Sequence, residues 1–185
     1  MLEKCVEAYS RLKNLKLVGD ELGIRWQTVY VNLRKSGVKV TGDKARYGSV
    51  TDRLATRAER LFASAVPFAV DSNNEKFQAA IDFTVLGWDV DVKASRCISH
   101  KGDAPRWAFC INKQKDKADF FALYALDLDL NVKYVFLIPN EIATTSASIS
   151  IPASLKSKWA DYMVEESDLA PFFEQLGNKT NSAPN

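Results

Sequence analysis

The chain has a single histidine, His100, and three cysteines, Cys5, Cys97 and Cys110, with no C-x-x-C among them. An odd, widely spaced set of cysteines argues against a disulfide framework and makes a reducing compartment the default. One His with no Cys close in sequence does not suggest a zinc site. Serine–histidine or cysteine–histidine catalysis would have to use that one imidazole, so both are poor candidates, and His100 reads as a surface residue in a polar loop. Long apolar runs are also missing. VKYVFLIP (132–139), among the longest, is far too short to cross a membrane. The first residues, MLEKCVEAYSRLKN, contain no apolar h-region, so no secretory signal is expected.

What is present is an ordinary apolar and charged content, 46% and 26% of 185 residues, enough for one compact domain or two small ones. The net charge of +2 hides an asymmetry. Residues 1–60 hold 13 Lys+Arg against 7 Asp+Glu, and residues 61–185 hold 12 against 16. A basic first third suggests a polyanion-binding module attached to something else. A solvated basic helix surface is the plainer alternative.

In residues 2–14, Cys5, Ala8, Tyr9 and Leu12 recur at helical spacing. LVGDELG (17–23) reads as a short second helix ended by Gly23, a favoured terminator. IRWQTVYVNLRKSG (24–37) reads as a third, closed by Gly37. Three helices in this order, with DELGI before TVYVNLRKSGV, resemble the helix-turn-helix of many small bacterial and phage DNA-binding proteins. The resemblance implies that the third helix enters the major groove. Arg25, Trp26, Gln27, Thr28 and Tyr30 would then face bases, and Arg34 and Lys35 would face phosphates. A three-helix bundle used for protein contacts is the other reading. Residues 1–40 form this module in either case. Residues 41–50 follow as a basic linker in which Lys44, Arg46 and Tyr47 can reach a nucleic-acid backbone or stack.

Helical spacing resumes at Ser49 or Thr51, both good N-caps, and puts Leu54, Ala58, Leu61, Phe62 and Ala65 on one face with Glu59 on or beside it. Pro67 stops that helix. The period then drops to two. AAIDFTVLG (79–87) alternates Ile81, Phe83 and Val85 against Asp82 and Thr84, Gly87 turns the chain, and WDVDVKASR (88–96) alternates again, which predicts a hairpin. WAFCI (107–111) and SASISIP (146–152) read as further strands. ADFFALYALD (118–127) and VKYVFLIP are almost continuously apolar, as central strands covered on both faces would be. SLKSKWADYM (154–163) and DLAPFFEQL (168–176) read as helices, and 177–185 as a flexible tail. Strands flanked by helices over 51–176 predict an α/β core behind the N-terminal module.

The tight turn brings Asp82 and Asp91 side by side, each on the polar side of its strand. Two carboxylates with a backbone carbonyl between them make a hard oxygen site suited to Mg²⁺. Lys93 shares a face with Asp91 and can serve a water or a phosphate. Asp89, also on that face but near the turn, is expected to be solvated or to contact the loop. D/E-x-K occurs once in this chain, as Asp91-Val92-Lys93. Such a tripeptide is weak alone, and its weight comes from its placement.

From Thr51 to Pro139 the order of a helix with Glu59, then Asp82, then Asp91-Val92-Lys93-Ala94-Ser95, then WAF, ADFFALY and YVFLIP resembles the PD-(D/E)XK nucleases. It looks most like the intron-encoded and restriction-type members. The resemblance implies a restriction-endonuclease-like mixed sheet flanked by helices, and a Mg²⁺-dependent DNA endonuclease leaving 5′-phosphate and 3′-hydroxyl ends. Asp82 and Asp91 would bind metal with help from the Val92 carbonyl, Lys93 would serve the water, and Glu59 would be the helix carboxylate. Gln114 and Lys115 are optional further polar residues. No Pro precedes Asp82, and the stretch 69–78 leaves Asp71 and Glu75 as competitors for the first acid. Cutting both strands of duplex DNA implies a homodimer or higher even assembly. The expected setting is the cytoplasm of a bacterial, archaeal or phage-infected cell, on the nucleoid or free. A non-catalytic DNA-binding regulator with a nuclease-like core and a Holliday junction resolvase are the alternatives.

Overall fold

A computed structural model describes residues 1–72, 80–99, 102–143 and 146–179. The chain divides into two compact units, Met1–Arg53 and Leu54–Asn185.

In the first unit, helices α1 (Leu2–Leu12), α2 (Leu15–Leu22) and α3 (Trp26–Lys35) close a small core of Cys5, Ala8, Tyr9, Val18, Val29 and Leu33. Asn14 caps α2 by accepting the N–H groups of Lys16 and Leu17 at 3.0 and 3.2 Å, which satisfies two of the orphan donors of that helix. Gly23 ends α2 in the left-handed region at φ 65°. Gly19 is the tight point between α2 and α3, because a Cβ there would lie 2.6 Å from the Ile24 carbonyl oxygen.

The stretch read as a basic linker is folded onto this core. Just ahead of it, Val38 and Val40 pack against the same core. Tyr9 Oη donates to the Thr41 carbonyl at 3.1 Å and accepts the Thr41 N–H at 2.9 Å. Asn14 Nδ2 donates to Asp43 Oδ2 at 2.6 Å, and the other oxygen of Asp43 caps the one-turn helix α4 (Lys44–Tyr47). The boundary between units falls inside the first turn of α5 (Val50–Ala65). That helix begins with a reciprocal cap, Ser49 Oγ accepting the Asp52 N–H while Asp52 Oδ2 accepts the Ser49 N–H.

The second unit is α/β. Its six-stranded mixed sheet comprises β1 (Val70–Asp71), β2 (Phe83–Val85), β3 (Trp88–Arg96), β5 (Phe120–Leu126), β6 (Val132–Pro139) and β8 (Met163–Val164), in the order β1-β2-β3-β5-β6-β8. Only β3 and β5 run parallel, and the other pairs are antiparallel. WAFCI does not join this sheet. As part of β4 (Arg106–Cys110) it pairs with β7 (Ser148–Pro152) in a separate two-stranded sheet. Its alternation of buried Trp107 and Phe109 with exposed Arg106, Ala108 and Cys110 fits a layer wet on one side, whereas β5 is buried at every position.

The two faces of the main sheet carry different cores. Leu54, Ala58 and Phe62 of α5 and Leu169 and Phe173 of α7 (Leu169–Leu176) pack with Phe83, Val85, Val90, Val92, Ala122 and Tyr124. On the other face, Trp107, Phe109, Ile149 and Ile151 meet Phe121, Leu123, Phe136 and Ile138. Each such large apolar side chain contributes about 1.5–3 kcal/mol on leaving water. A one-turn helix, α6 (Asn140–Ala143), follows β6. Of the predicted helix over 154–163 only a 3-10 turn, Lys158–Tyr162, is present. Trp159 is its one buried residue, and the chain then extends into β8. Leu155 sits in the left-handed region at φ 57°, which interrupts the helix, although Leu155 and Tyr162 still pack beside Trp159.

Candidate functional site

The β2–β3 hairpin turns through Leu86 and Gly87, both with positive φ, and pairs Phe83 with Val90 and Thr84 with Asp89. One further step of the same register sets Asp82 opposite Asp91. Because β2 stops at Phe83, the edge of β3 beyond Val90 is not paired by it. The Val92 N–H on that edge donates to Asp82 Oδ2 at 2.8 Å instead. A strand residue's N–H and C=O point to the same edge, so the Val92 carbonyl also faces the Asp82 side.

Asp91 is 1% exposed, and with Ser95 it is one of two buried polar side chains among the described residues. It lies on the sheet face of Phe121 and Leu123, its register partner and that of Lys93. The Lys93 ammonium reaches Asp91 Oδ2 at 2.5 Å without hydrogen-bond alignment, so that oxygen has charge contact but no directed donor. Burial is the main reason the Asp91 carboxyl is pushed up to about 7. Lys93 opposes the rise and the neighbouring Asp82 adds to it. Asp82 is also raised, again chiefly by burial, with the Val92 N–H and Lys93 pulling the other way. Ser95, two residues on, accepts the Ala108 N–H at 3.0 Å and ties this strand to β4.

The hairpin therefore unites Asp82, Asp91, Lys93 and the Val92 backbone. Asp71 stands on the adjacent strand, paired with Phe83, and its charge raises Asp82. Glu75 and His100 lie outside the described residues. Glu59 is half-buried on α5, the helix that packs on the sheet face opposite Asp91. Among the described residues no group of three His, Cys, Asp or Glu comes together as a metal cluster. Gln114 and Lys115 are half-buried in the turn after β4, where Asn140 Nδ2 donates to the Lys115 carbonyl. Asp89 is half-buried rather than solvated and accepts the Thr84 hydroxyl at 3.2 Å.

Sequence reasoning missed Asp119 and Lys179, which pair at 2.6 Å. They are 60 residues apart, and neither belongs to a local pattern that would have joined them. The last three described residues, assigned to a flexible tail, are instead hydrogen-bonded to the hairpin through Gly177 and Lys179.

In the first unit, α3 buries Val29 and Leu33 and exposes Arg25, Gln27, Thr28, Arg34 and Lys35. It also exposes large apolar and aromatic groups, with Trp26 at 49% and Tyr30 at 41%. Lys44 and Arg46 on α4 are exposed, and Tyr47 is 75% exposed with the Arg46 guanidinium 5.6 Å from its ring centroid. A groove of about 390 Å³ runs between Trp26, Tyr47 and the Lys13 and Lys16 side.

No protein-family model and no curated protein matches the chain. Among solved structures it is similar to the one titled "The structure of a bacterial homing endonuclease: I-Ssp6803I", at 12% identity and a TM-score of 0.46, over 69% of this chain and 94% of that one. No helix among the described residues is long and apolar enough to cross a membrane.

Proposed function

We propose that the chain is a divalent-metal-dependent DNA endonuclease whose helical first unit selects or holds the site. The observation that carries this is the buried Asp82–Asp91 pair with Lys93 against it. Two adjacent carboxylates out of water repel each other, and one oxygen of Asp91 lacks a directed donor. A cation between them relieves both costs, so the residues present fit a divalent ion. Mg²⁺ is the first choice, with Mn²⁺ able to replace it. Asp82, Asp91 and the Val92 carbonyl would hold it, and water or phosphate would fill its other positions, as is common for Mg²⁺. When bound, it supplies Lewis-acid stabilisation of charge developing on the phosphate oxygens.

The chain's own groups do the rest. Lys93, half-buried and already against Asp91, orients the attacking water or neutralises the scissile phosphate. The water oxygen forms a bond to phosphorus and releases its proton to solvent, the bond from phosphorus to the 3′ oxygen breaks and that oxygen takes a proton from solvent, and the ends are a 5′-phosphate and a 3′-hydroxyl. Asp71, on the strand beside Asp82, or Glu75 would add a third carboxylate, whereas Glu59 stands on the helix packed against the opposite sheet face; Gln114 and Lys115 are optional additions. In the first unit, Arg25, Trp26, Gln27, Thr28 and Tyr30 would read bases, and Arg34, Lys35, Lys44 and Arg46 would hold phosphates. Cleavage of both strands calls for two copies, so a homodimer or higher even assembly is part of the proposal. Separate DNA-reading and metal-binding units favour a restriction or homing role over junction resolution.

The test is Mg²⁺-dependent plasmid cleavage by the wild type beside Asp91→Ala and Lys93→Ala. Cleavage lost in both variants, with DNA binding kept, supports the enzyme. Identical behaviour of all three, with binding kept, sinks it in favour of a non-catalytic regulator.

A further inference from the structure

The turn end of the hairpin, away from the acid pair, is clasped by the last described residues. The Leu86 carbonyl, in a residue held at φ 50°, accepts the Lys179 N–H at 3.1 Å. Gly87, at φ 86°, leaves room for that approach, since a Cβ there would stand 3.3 Å from Lys179 Cβ. Trp88 Nε1 donates to the Gly177 carbonyl at 2.9 Å, and the Lys179 ammonium lies 5.5 Å from the Trp88 ring centroid. The same ammonium donates to both oxygens of Asp119, at 2.8 and 2.6 Å.

Asp119 in turn fixes the strand that carries the site. Its Oδ2 accepts the Asp89 N–H at 2.8 Å, and its own N–H donates to the Asp89 carbonyl at 2.7 Å. Asp89 is two residues from Asp91 on the same face. Its carboxylate accepts the Thr84 hydroxyl, and Thr84 is two residues from Asp82. A continuous set of contacts therefore runs from Lys179 to the strand positions flanking both acids. The β2–β3 ladder itself is short, with three residue pairs. Shifting a strand by one residue exchanges its faces, which would remove Asp82 from the side of Asp91.

We propose that Lys179, acting through Asp119, is a positioning residue that sets the register of the hairpin and hence the fit of Asp82 and Asp91 around a divalent ion. The consequence for the ion rests on the endonuclease reading; the consequence for the hairpin does not.

The experiment compares the full-length wild type with Lys179→Ala, Lys179→Arg and Trp88→Phe. Two quantities are read: the Mg²⁺ concentration giving half-maximal plasmid cleavage, and amide exchange at Asp89 and Val92, with Val29 as a control in the other unit. In Lys179→Ala the Mg²⁺ requirement is expected to rise about tenfold, the lower end of what groups behind metal ligands contribute, while the rate at saturating Mg²⁺ is kept. Lys179→Arg restores the wild-type value, and Trp88→Phe gives a smaller rise. Exchange at Asp89 and Val92 is expected to quicken with Val29 unmoved. A lower melting temperature with an unchanged Mg²⁺ requirement and unchanged exchange overturns the proposal and assigns the clasp to stability alone. A wild type that does not cleave defeats the endonuclease reading, and exchange at Asp89 and Val92 then decides the positioning role by itself.

Discussion

The two units handle charge in opposite ways. In the first, the charged side chains remain in water. Arg11 pairs with Glu21 and Lys16 with Asp20 on exposed faces, and the basic residues of α3 and α4 surround an apolar core with no charge inside it. In the second, Asp91 has been taken almost wholly out of solvent beside another acid. Exposed ion pairs are weak and screened, so the first unit holds its charges at little cost to folding and offers them as a surface. A buried carboxylate pair costs stability and repays it only through what it binds. Substitutions should therefore separate cleanly into those that lose a surface and those that lose a site.

The largest effect expected is on cleavage. Asp91→Asn should lower the rate by about 10³-fold or more, the scale seen when a group stabilising transition-state charge is removed, while raising the melting temperature of the metal-free protein above pH 7. A variant that loses activity and stability together would show that Asp91 is structural. The next effect is on the other unit's core. Leu33→Ala should cost about 2–5 kcal/mol and abolish DNA binding by unfolding α1–α3, read by circular dichroism and gel shift.

The third prediction concerns pH. The folded-state value of Asp91 is raised above its unfolded one, so the group carries no penalty below the usual carboxylate range. Its penalty grows as pH rises towards about 7 and is complete above it. Asp82 shifts in the same direction. The stability difference between Asp91→Asn and wild type should therefore widen between pH 4 and about 7 without metal and shrink when Mg²⁺ is added, measured by urea melts across that range. A difference that does not change with pH would mean Asp91 is not desolvated in solution. The smallest effect belongs to the surface. Arg34→Ala should weaken DNA binding by about 1 kcal/mol and flatten its salt dependence, with the melting temperature unmoved.

How much of this was legible depended on sequence distance. Asp82, Asp91 and Lys93 could be read because alternation and a two-residue turn act within a dozen residues. The three helices of the first unit could be read from Gly23 and the spacing of Val29 and Leu33. Asp43 against Asn14 could not be read, because it turned a supposed linker into part of a packed unit from 29 residues away. The departure of β4 to a second sheet was hidden because WAFCI is apolar enough for either sheet, and only its burial at every other residue distinguishes it. Residues 154–163 misled because Leu155, Trp159 and Tyr162 keep helical spacing and pack on the core while the backbone at Leu155 is left-handed. Trp88 bonded to Gly177 spans 89 residues, beyond any local pattern.

The parallel pairing of β3 with β5 has a consequence for how the chain folds. The β2–β3 hairpin closes over a few residues and can form within microseconds. The β3–β5 contact must wait for a connection that first travels out through β4, and such non-local pairing is slow. Asp82 and Asp91 therefore meet while still hydrated, and they lose their water only when β5 and the β4–β7 layer arrive. The loss of water around this pair is thus a late step of folding, set by the arrival of β5 and not by closure of the hairpin.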